Sequence, residues 1–377
     1  VFRSEVLDTW VIADGALARS VLTDVRFGTL TRAGGRHRAE LLPPAGPDLA
    51  PSAPGAPGGP DGAGGSLAPR DEAALEALAE ETARTLLGRL GPGFDLAADF
   101  ARRVPARALA EFLGVPAADR GRFESLLTAC ARTLDSLLCP QTLDVTRTGL
   151  GAAAELHDLL TRHHTGSGAR SPREALALAV TAAEPAAVLV CDAFEELGGA
   201  HGQGRWEALG RAPETADAAV LRTWWRRPPV RVESRFAQED VVLAGVPVPV
   251  DGHVAVLAAA AQRDPAAAPP GIGHGEVRTG STPPGAGYGP GTPPGALGTP
   301  LGTPLGLLGG EHATSAARAA RALARAALRV LAREAPELRP GGPAVRLRRA
   351  PVTLGHARFP VTRTAPRPAA PAGPRPA

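Results

Sequence analysis

Few residues in this chain combine the type and spacing that chemistry needs. His163-His164 is a candidate metal pair, but adjacent side chains on a helix diverge by about 100°. A solvated helix end before Gly166 fits the pair better. Cys130, Cys139 and Cys191 are odd in number and lack metal-ligand spacing. In apolar helical contexts they read as buried small hydrophobes. Gly271-x-Gly-x-Gly275 has no strand before it and no helix after it, so it is no phosphate loop. An Asp-x-Asp metal motif is also absent. The remaining candidates suit binding. Trp224-Trp225-Arg226-Arg227 joins residue types enriched at interfaces, or else is buried Trp followed by a solvated Arg pair. Arg321, Arg325, Arg329 and Arg333 form an i, i+4 stripe opposite Leu323, Val330 and Leu331, which is a solvated face or a dock for an acidic partner. Arg346, Arg348 and Arg349 could meet a phosphate, or alternate with Val345 and Leu347 on a half-exposed strand.

The elements that must position these residues are mostly helical. Thr9–Ala13 alternates as a strand, and Gly15–Thr23 follows as a helix. Asp71–Arg89 is amphipathic, with Leu75, Leu78, Leu86 and Leu90 at helical spacing. Helices continue to Gly198, with breaks at Pro105, Pro116, Pro140 and Gly166–Gly168. The Val-rich stretch Val230–Val256 has period two and reads as strands. The expected organisation has an N-terminal strand and helix segment at 1–42 and a disordered linker or lid at 43–70. A helical core spans 71–363, with a β segment at 228–265 and a low-complexity insertion at 266–308. A disordered tail occupies 364–377.

Composition sets further bounds. At 377 residues the chain can bury a large core in one domain or two. All 41 basic residues are Arg, and net charge is +3. With abundant Ala, Gly and Pro this points to GC-rich coding and gives no ground for nucleic-acid binding. The cysteine pattern favours a reducing cytoplasm. The sequence shows no signal-peptide pattern and no apolar run of the roughly 18 residues that a membrane span needs.

Several longer motifs carry a resemblance. Phe94–Phe123 reads FDLAADFARRVPARALAEFLGVPAADRGRF, Pro228–Pro265 holds PPVRVESRFAQEDVVLAGVPVPVDGHVAVLAAAAQRDP, and Thr9–Phe27 ends in Leu-x-Asp-x-Arg-Phe. Leu307–Ser315 reads LLGGEHATS ahead of an Ala/Arg/Leu helix running to about Glu334. Together these resemble the haem-thiolate monooxygenases of the cytochrome P-450 superfamily over most of the chain. Relative to that superfamily about the first fifty residues are absent. The implied fold class is mainly α with a small β portion, a P-450-like fold lacking the haem site.

The resemblance also shows what is missing. The axial cysteine position is Thr314, a neutral hydroxyl and a poor iron ligand. Glu184 fits the acid of the oxygen-activation pair, but Pro185 stands where its threonine belongs, so the proton relay is lost. The bracing Glu-x-x-Arg pair before Pro228 falls on Arg222 and Trp225, or on Ala219 and Arg222, and neither register holds a Glu. Ala322–Pro360, with Arg346-Leu-Arg-Arg-Ala-Pro-Val, resembles the superfamily's haem-free auxiliary proteins. Those proteins pair with the deoxysugar glycosyltransferases of macrolide and anthracycline biosynthesis. The resemblance therefore implies no catalytic residues, no cofactor and no metal. It implies a cytoplasmic activator in a hetero-oligomer with a glycosyltransferase, binding neither nucleic acid nor membrane. Trp224, Trp225, Arg226 and Arg227 are candidates for the partner interface. The alternatives are a haem-free protein that binds hydrophobic small molecules, or an active monooxygenase with unusual ligation.

Overall fold

The structure is a computed structural model and describes residues 1–28, 67–136, 139, 141–163, 171–199, 202–263 and 310–363. Three helices frame the interior. The central helix Pro172–Gly198 is capped by a reciprocal box between Ser171 and Glu174, which satisfies two N-terminal donors. The C-terminal helix Gly310–Glu334 packs along it and also along helix Pro69–Leu87. This last helix begins two residues before the expected Asp71, because Pro69 is tolerated where no intrahelical N–H bond exists. Leu75, Leu86 and Leu87 are buried on its inner face. Helix Gln203–Arg211 also crosses the C-terminal helix closely. A Cβ at Gly210 would lie 2.5 Å from the Ala332 carbonyl oxygen, so only glycine fits this crossing.

Two expectations need correction. Pro105 does not break the helix there; it is the third residue of helix Arg103–Phe112, where a missing N–H costs little. The irregularity lies upstream, in the π-helical turn Leu96–Ala101, which Asp95 caps by accepting from Ala97 and Ala98 N–H. The second concerns the membrane. The central helix is long and apolar enough to cross one by length and composition. Here 83% of its apolar window is buried against protein, as expected for the core helix of a large domain.

The β portion has its own core around Trp10, Ile12, Val254 and Val256. A five-stranded sheet runs in the order Phe2–Ser4, Thr9–Ile12, His253–Val256, Glu233–Ala237, Phe27–Gly28. Thr9–Ile12 pairs parallel to His253–Val256, so the chain start is fixed by residues far along the sequence. The hairpin Val241–Leu243/Val246–Val248 turns through Ala244 and Gly245, both at positive φ, as a tight two-residue hairpin turn requires. A three-stranded sheet orders Gly93–Asp95, Pro360–Arg363 and Leu338–Pro340. The two-stranded hairpin Val345–Arg346/His356–Arg358 lies beside it in sequence. Of the expected disordered linker 43–70, residues 67–70 are ordered, with Leu67 buried and Pro69 opening its helix; 43–66, 266–308 with Gly271–Gly275, and 364–377 lie outside the described residues.

Candidate functional site

The site is built around one acid on the central helix. Pro185 lies inside that helix and offers no N–H to the carbonyl one turn back, that of Thr181. The Thr181 hydroxyl donates to the Ala177 carbonyl at 2.5 Å and so takes no part in a relay with the acid. Glu184, just before the proline, is 5% exposed. Arg102, at the junction of the π turn and helix Arg103–Phe112, reaches it with Nε to Oε2 at 3.1 Å and Nη2 to Oε1 at 3.3 Å. The same guanidinium donates to the His356 carbonyl. Burial lowers the Arg102 pKa, but the Glu184 carboxylate more than offsets this and the net direction is upward. Gly355 closes the arrangement: a Cβ there would sit 2.6 Å from Glu184 Oε1. One ion pair thus ties together three segments that are distant in sequence.

Two turns further along, Asp192, Glu195 and Glu196 meet more arginines. Arg346 places Nη1 2.7 Å from Asp192 Oδ1, as an ion-pair contact rather than an aligned hydrogen bond. Its Nη2 donates to Glu195 Oε2 at 2.6 Å. Arg227 also pairs with Glu195, and Arg226 with Glu196 at 2.7 Å. Burial raises the Asp192 pKa against the pull of Arg346 and Arg227. His356 stacks on Phe359, and its Nε2 lies 3.8 Å from Asp192 Oδ1. Burial, with Arg346, Arg102 and Arg227 nearby, pushes His356 down to about 3. Asp192, Glu195 and His356 are the one group among the described residues with ligand atoms close enough for a metal ion. Arg346 already holds both carboxylates, and the guanidinium charges of Arg346, Arg102 and Arg227 around the group oppose a divalent cation. We therefore read this group as an ion-pair network.

The donor set does not fit a haem-thiolate site. Thr314 stands in the first turns of the C-terminal helix, and its side-chain surroundings lie outside the described residues. No cysteine occurs on that helix. Burial pushes the Cys130 thiol up to about 12 and Cys191 well above its ordinary value, so neither supplies a thiolate. The clefts flanking the Arg102–Glu184 pair leave only about 10 and 0 Å³ that a water-sized body can occupy. Both fall below the roughly 300–1,000 Å³ usual for ligand sites.

The structure separates the remaining sequence candidates. Trp224 and Trp225 are 3% and 4% exposed, and Gln262 donates to both their backbone carbonyls. They pack inside the chain because their helix turns that face inward, which corrects their reading as interface anchors. Arg226 and Arg227 are half-exposed and engaged by Glu196 and Glu195. Arg222, at the expected brace, reaches Glu196 only at 3.9 Å. The arginine stripe faces acids of this same chain. Arg318 donates to Glu72 at 2.9 Å, Arg321 to Asp217 at 2.8 Å and Arg325 to Glu76 at 2.9 Å, while Arg329 pairs with Glu76 and Glu80. Arg321, Arg325 and Arg329 of the stripe are thereby occupied within the chain, whereas Arg333, its fourth member, is exposed and pairs only with adjacent Glu334. His163 ends its helix and hydrogen-bonds Asp119 at 2.8 Å. Sequence reasoning missed Arg102, Asp192, Glu195 and His356, because pairing across the chain leaves no local signal.

No protein-family model matches the chain. It is 42% identical to Protein TylM3 of Streptomyces fradiae over 367 residues, 96% of this chain and 82% of that protein. It is 32% identical to Cytochrome P450 family protein EryCII of Saccharopolyspora erythraea over 361 residues, 95% of this chain and 85% of that protein. Among solved structures, the open cytochrome P450 Eryk from S. erythraea superposes with a TM-score of 0.73 at 20% identity, covering 98% of this chain and 94% of that one. The fold, the position of Glu184 on the central helix and this breadth of identity agree: the chain belongs to the cytochrome P450 family.

Proposed function

We propose that the chain is a haem-free auxiliary protein that activates or stabilises a glycosyltransferase transferring a deoxysugar from a nucleotide donor in antibiotic biosynthesis. The observation that carries this reading is the Arg102–Glu184 pair. The family's acid has become a structural ion pair, followed by Pro185 and without a thiolate on the C-terminal helix. A protein built this way acts by binding. It favours the competent state of its partner only through higher affinity for that state. The 42% identity to TylM3 and the resemblance of Ala322–Pro360 to glycosyltransferase auxiliary proteins support the choice of partner. Three free cysteines accord with a reducing cytoplasm.

Size-exclusion chromatography of the chain mixed with a candidate deoxysugar glycosyltransferase tests the reading. A co-eluting complex is expected. Separate elution, together with thermal stabilisation by hydrophobic small molecules, supports the ligand-binding alternative instead. The small clefts beside Arg102 weigh against that alternative.

A further inference from the structure

The last turn of the central helix gathers arginines from two other helices, and Glu196 is their meeting point. Arg226 Nη1 lies 2.7 Å from Glu196 Oε1, while Arg222 Nε and Arg205 Nη1 lie 3.9 and 4.0 Å from the same oxygen. Arg222 and Arg226 stand one turn apart on helix Ala216–Arg226, and Arg205 is in the first turn of helix Gln203–Arg211. None of the three pairs with a second carboxylate among the described residues. Glu196 is also the one carboxylate among those residues that three arginines approach. The ladder beneath the C-terminal helix is balanced by contrast, with Arg318, Arg321, Arg325 and Arg329 set against Glu72, Asp217, Glu76 and Glu80.

Three guanidinium groups against one carboxylate leave a surplus of positive charge. The C-terminal ends of the central helix and of helix Ala216–Arg226 offset about half a charge each, and the N-terminus of helix Gln203–Arg211 returns about half. That N-terminus abuts the site, since a Cβ at its N-cap Gly202 would lie 2.4 Å from the Glu196 carbonyl oxygen. It has no side-chain cap and no acid in its first turn. Burial lowers the Arg222 pKa, and Arg226 and Arg205 press it down further against the pull of Glu196. The Arg222 Nε is buried without a hydrogen-bond acceptor. The side chains of Arg205, Arg222 and Arg226 are still 52%, 38% and 40% exposed, so solvent reaches all three. The cluster is thus short of both negative charge and acceptor atoms. A second carboxylate would bring one charge and two oxygens. A phosphate group brings close to two charges and three acceptor oxygens, which meets both deficits.

We propose that Arg205, Arg222 and Arg226 form an oxyanion site that takes one phosphate group, either the free ion or the phosphate of a small phosphorylated molecule. Planar guanidinium forks match phosphate oxygens in geometry, and a helix N-terminus at the rim adds to the same field. The site stands whether or not the chain binds a glycosyltransferase.

Isothermal titration calorimetry of the full chain tests it at about pH 8 and about 100 mM ionic strength, balanced with chloride. The probes are inorganic phosphate, inorganic pyrophosphate and ADP. Saturable one-to-one binding of phosphate is expected. Tighter binding of ADP or pyrophosphate assigns the site to a phosphate carried on a larger molecule, and equal or weaker binding assigns it to the free ion. Arg222→Gln should weaken binding at least about 10-fold, the loss expected for one hydrogen bond to a charged group. Arg205→Gln, which gives up only a 4.0 Å contact with Glu196 and should fold normally, should weaken binding in the same direction. Arg211→Gln, exposed on the same helix as Arg205 and without an ion pair among the described residues, should change nothing. Unfolding midpoints confirm that each variant folds. No saturable binding of any probe below about 10 mM overturns the site, as does binding that the folded Arg222→Gln and Arg205→Gln variants retain unchanged.

Discussion

Replacing Glu184 with Ala removes the partner of an arginine whose side chain is 17% exposed. Arg102 then keeps the His356 carbonyl as its acceptor but has no counter-charge. Breaking a buried pair from one side costs about 3–5 kcal/mol, because it leaves an uncompensated charge in a poorly solvated place. Arg102→Met should cost a similar amount by stranding the carboxylate of Glu184, which is 5% exposed. The double variant Arg102→Met/Glu184→Ala removes both charges. Its main remaining loss is the donor to the His356 carbonyl, about 1–3 kcal/mol. The two substitutions should therefore be strongly non-additive, with a coupling of at least about 3 kcal/mol. Urea unfolding of the four proteins at pH 7 measures this directly. A Glu184→Ala cost below about 1 kcal/mol, or a double variant whose loss equals the two single losses together, would refute the claim that this acid is structural.

Other consequences follow from the same network. His356 titrates near 6.5 when unfolded and about 3 when folded, so the unfolded chain binds more protons between these values. Its contribution to stability is present at neutral pH and is lost as pH falls from 6.5 toward 3, with a slope of up to about 1.4 kcal/mol per pH unit. Urea midpoints at pH 7, 6 and 5 should show a decline that His356→Gln flattens; parallel declines would contradict it. Arg325, enclosed by Glu72, Glu76 and Asp217, should cost about 1–3 kcal/mol on replacement by Ala. Arg333→Ala, exposed and paired only with adjacent Glu334, should cost close to nothing by the same measurement. Haemin added to the purified chain should give no Soret band at stoichiometric intensity. Thr314→Cys alone should not create one, because Glu184 stays locked by Arg102 and the expected bracing glutamate is absent.

What the sequence displayed was mostly local. Strand Thr9–Ile12, helix Gly15–Thr23 and the leucine face of helix Pro69–Leu87 follow from periodicity that neighbouring residues carry. Pro105 misled because its effect depends on its position within a helix, and the start of that helix is set by the preceding π turn. The arginine stripe of the C-terminal helix was visible, and so was a matching i, i+4 row of acids at Glu72, Glu76 and Glu80. Only the packing of two helices some 250 residues apart turns these rows into one ladder of ion pairs, as the 249-residue separation of Arg325 from Glu76 shows. Glu184 was legible as a relic of an active site because its neighbour is proline. Its pairing with Arg102 was not, since Arg102 and Arg103 look alike in sequence while the second turns to Glu124.

The central claim is that this chain keeps the family's fold and works by raising the activity of another enzyme. The direct measurement is deoxysugar transfer by the cognate glycosyltransferase, assayed alone, with the purified chain added, and with the chain alone. Stimulated transfer in the mixture and none from the chain alone is the predicted result. An unchanged rate across a range of added chain, with both proteins shown to be folded, would contradict it.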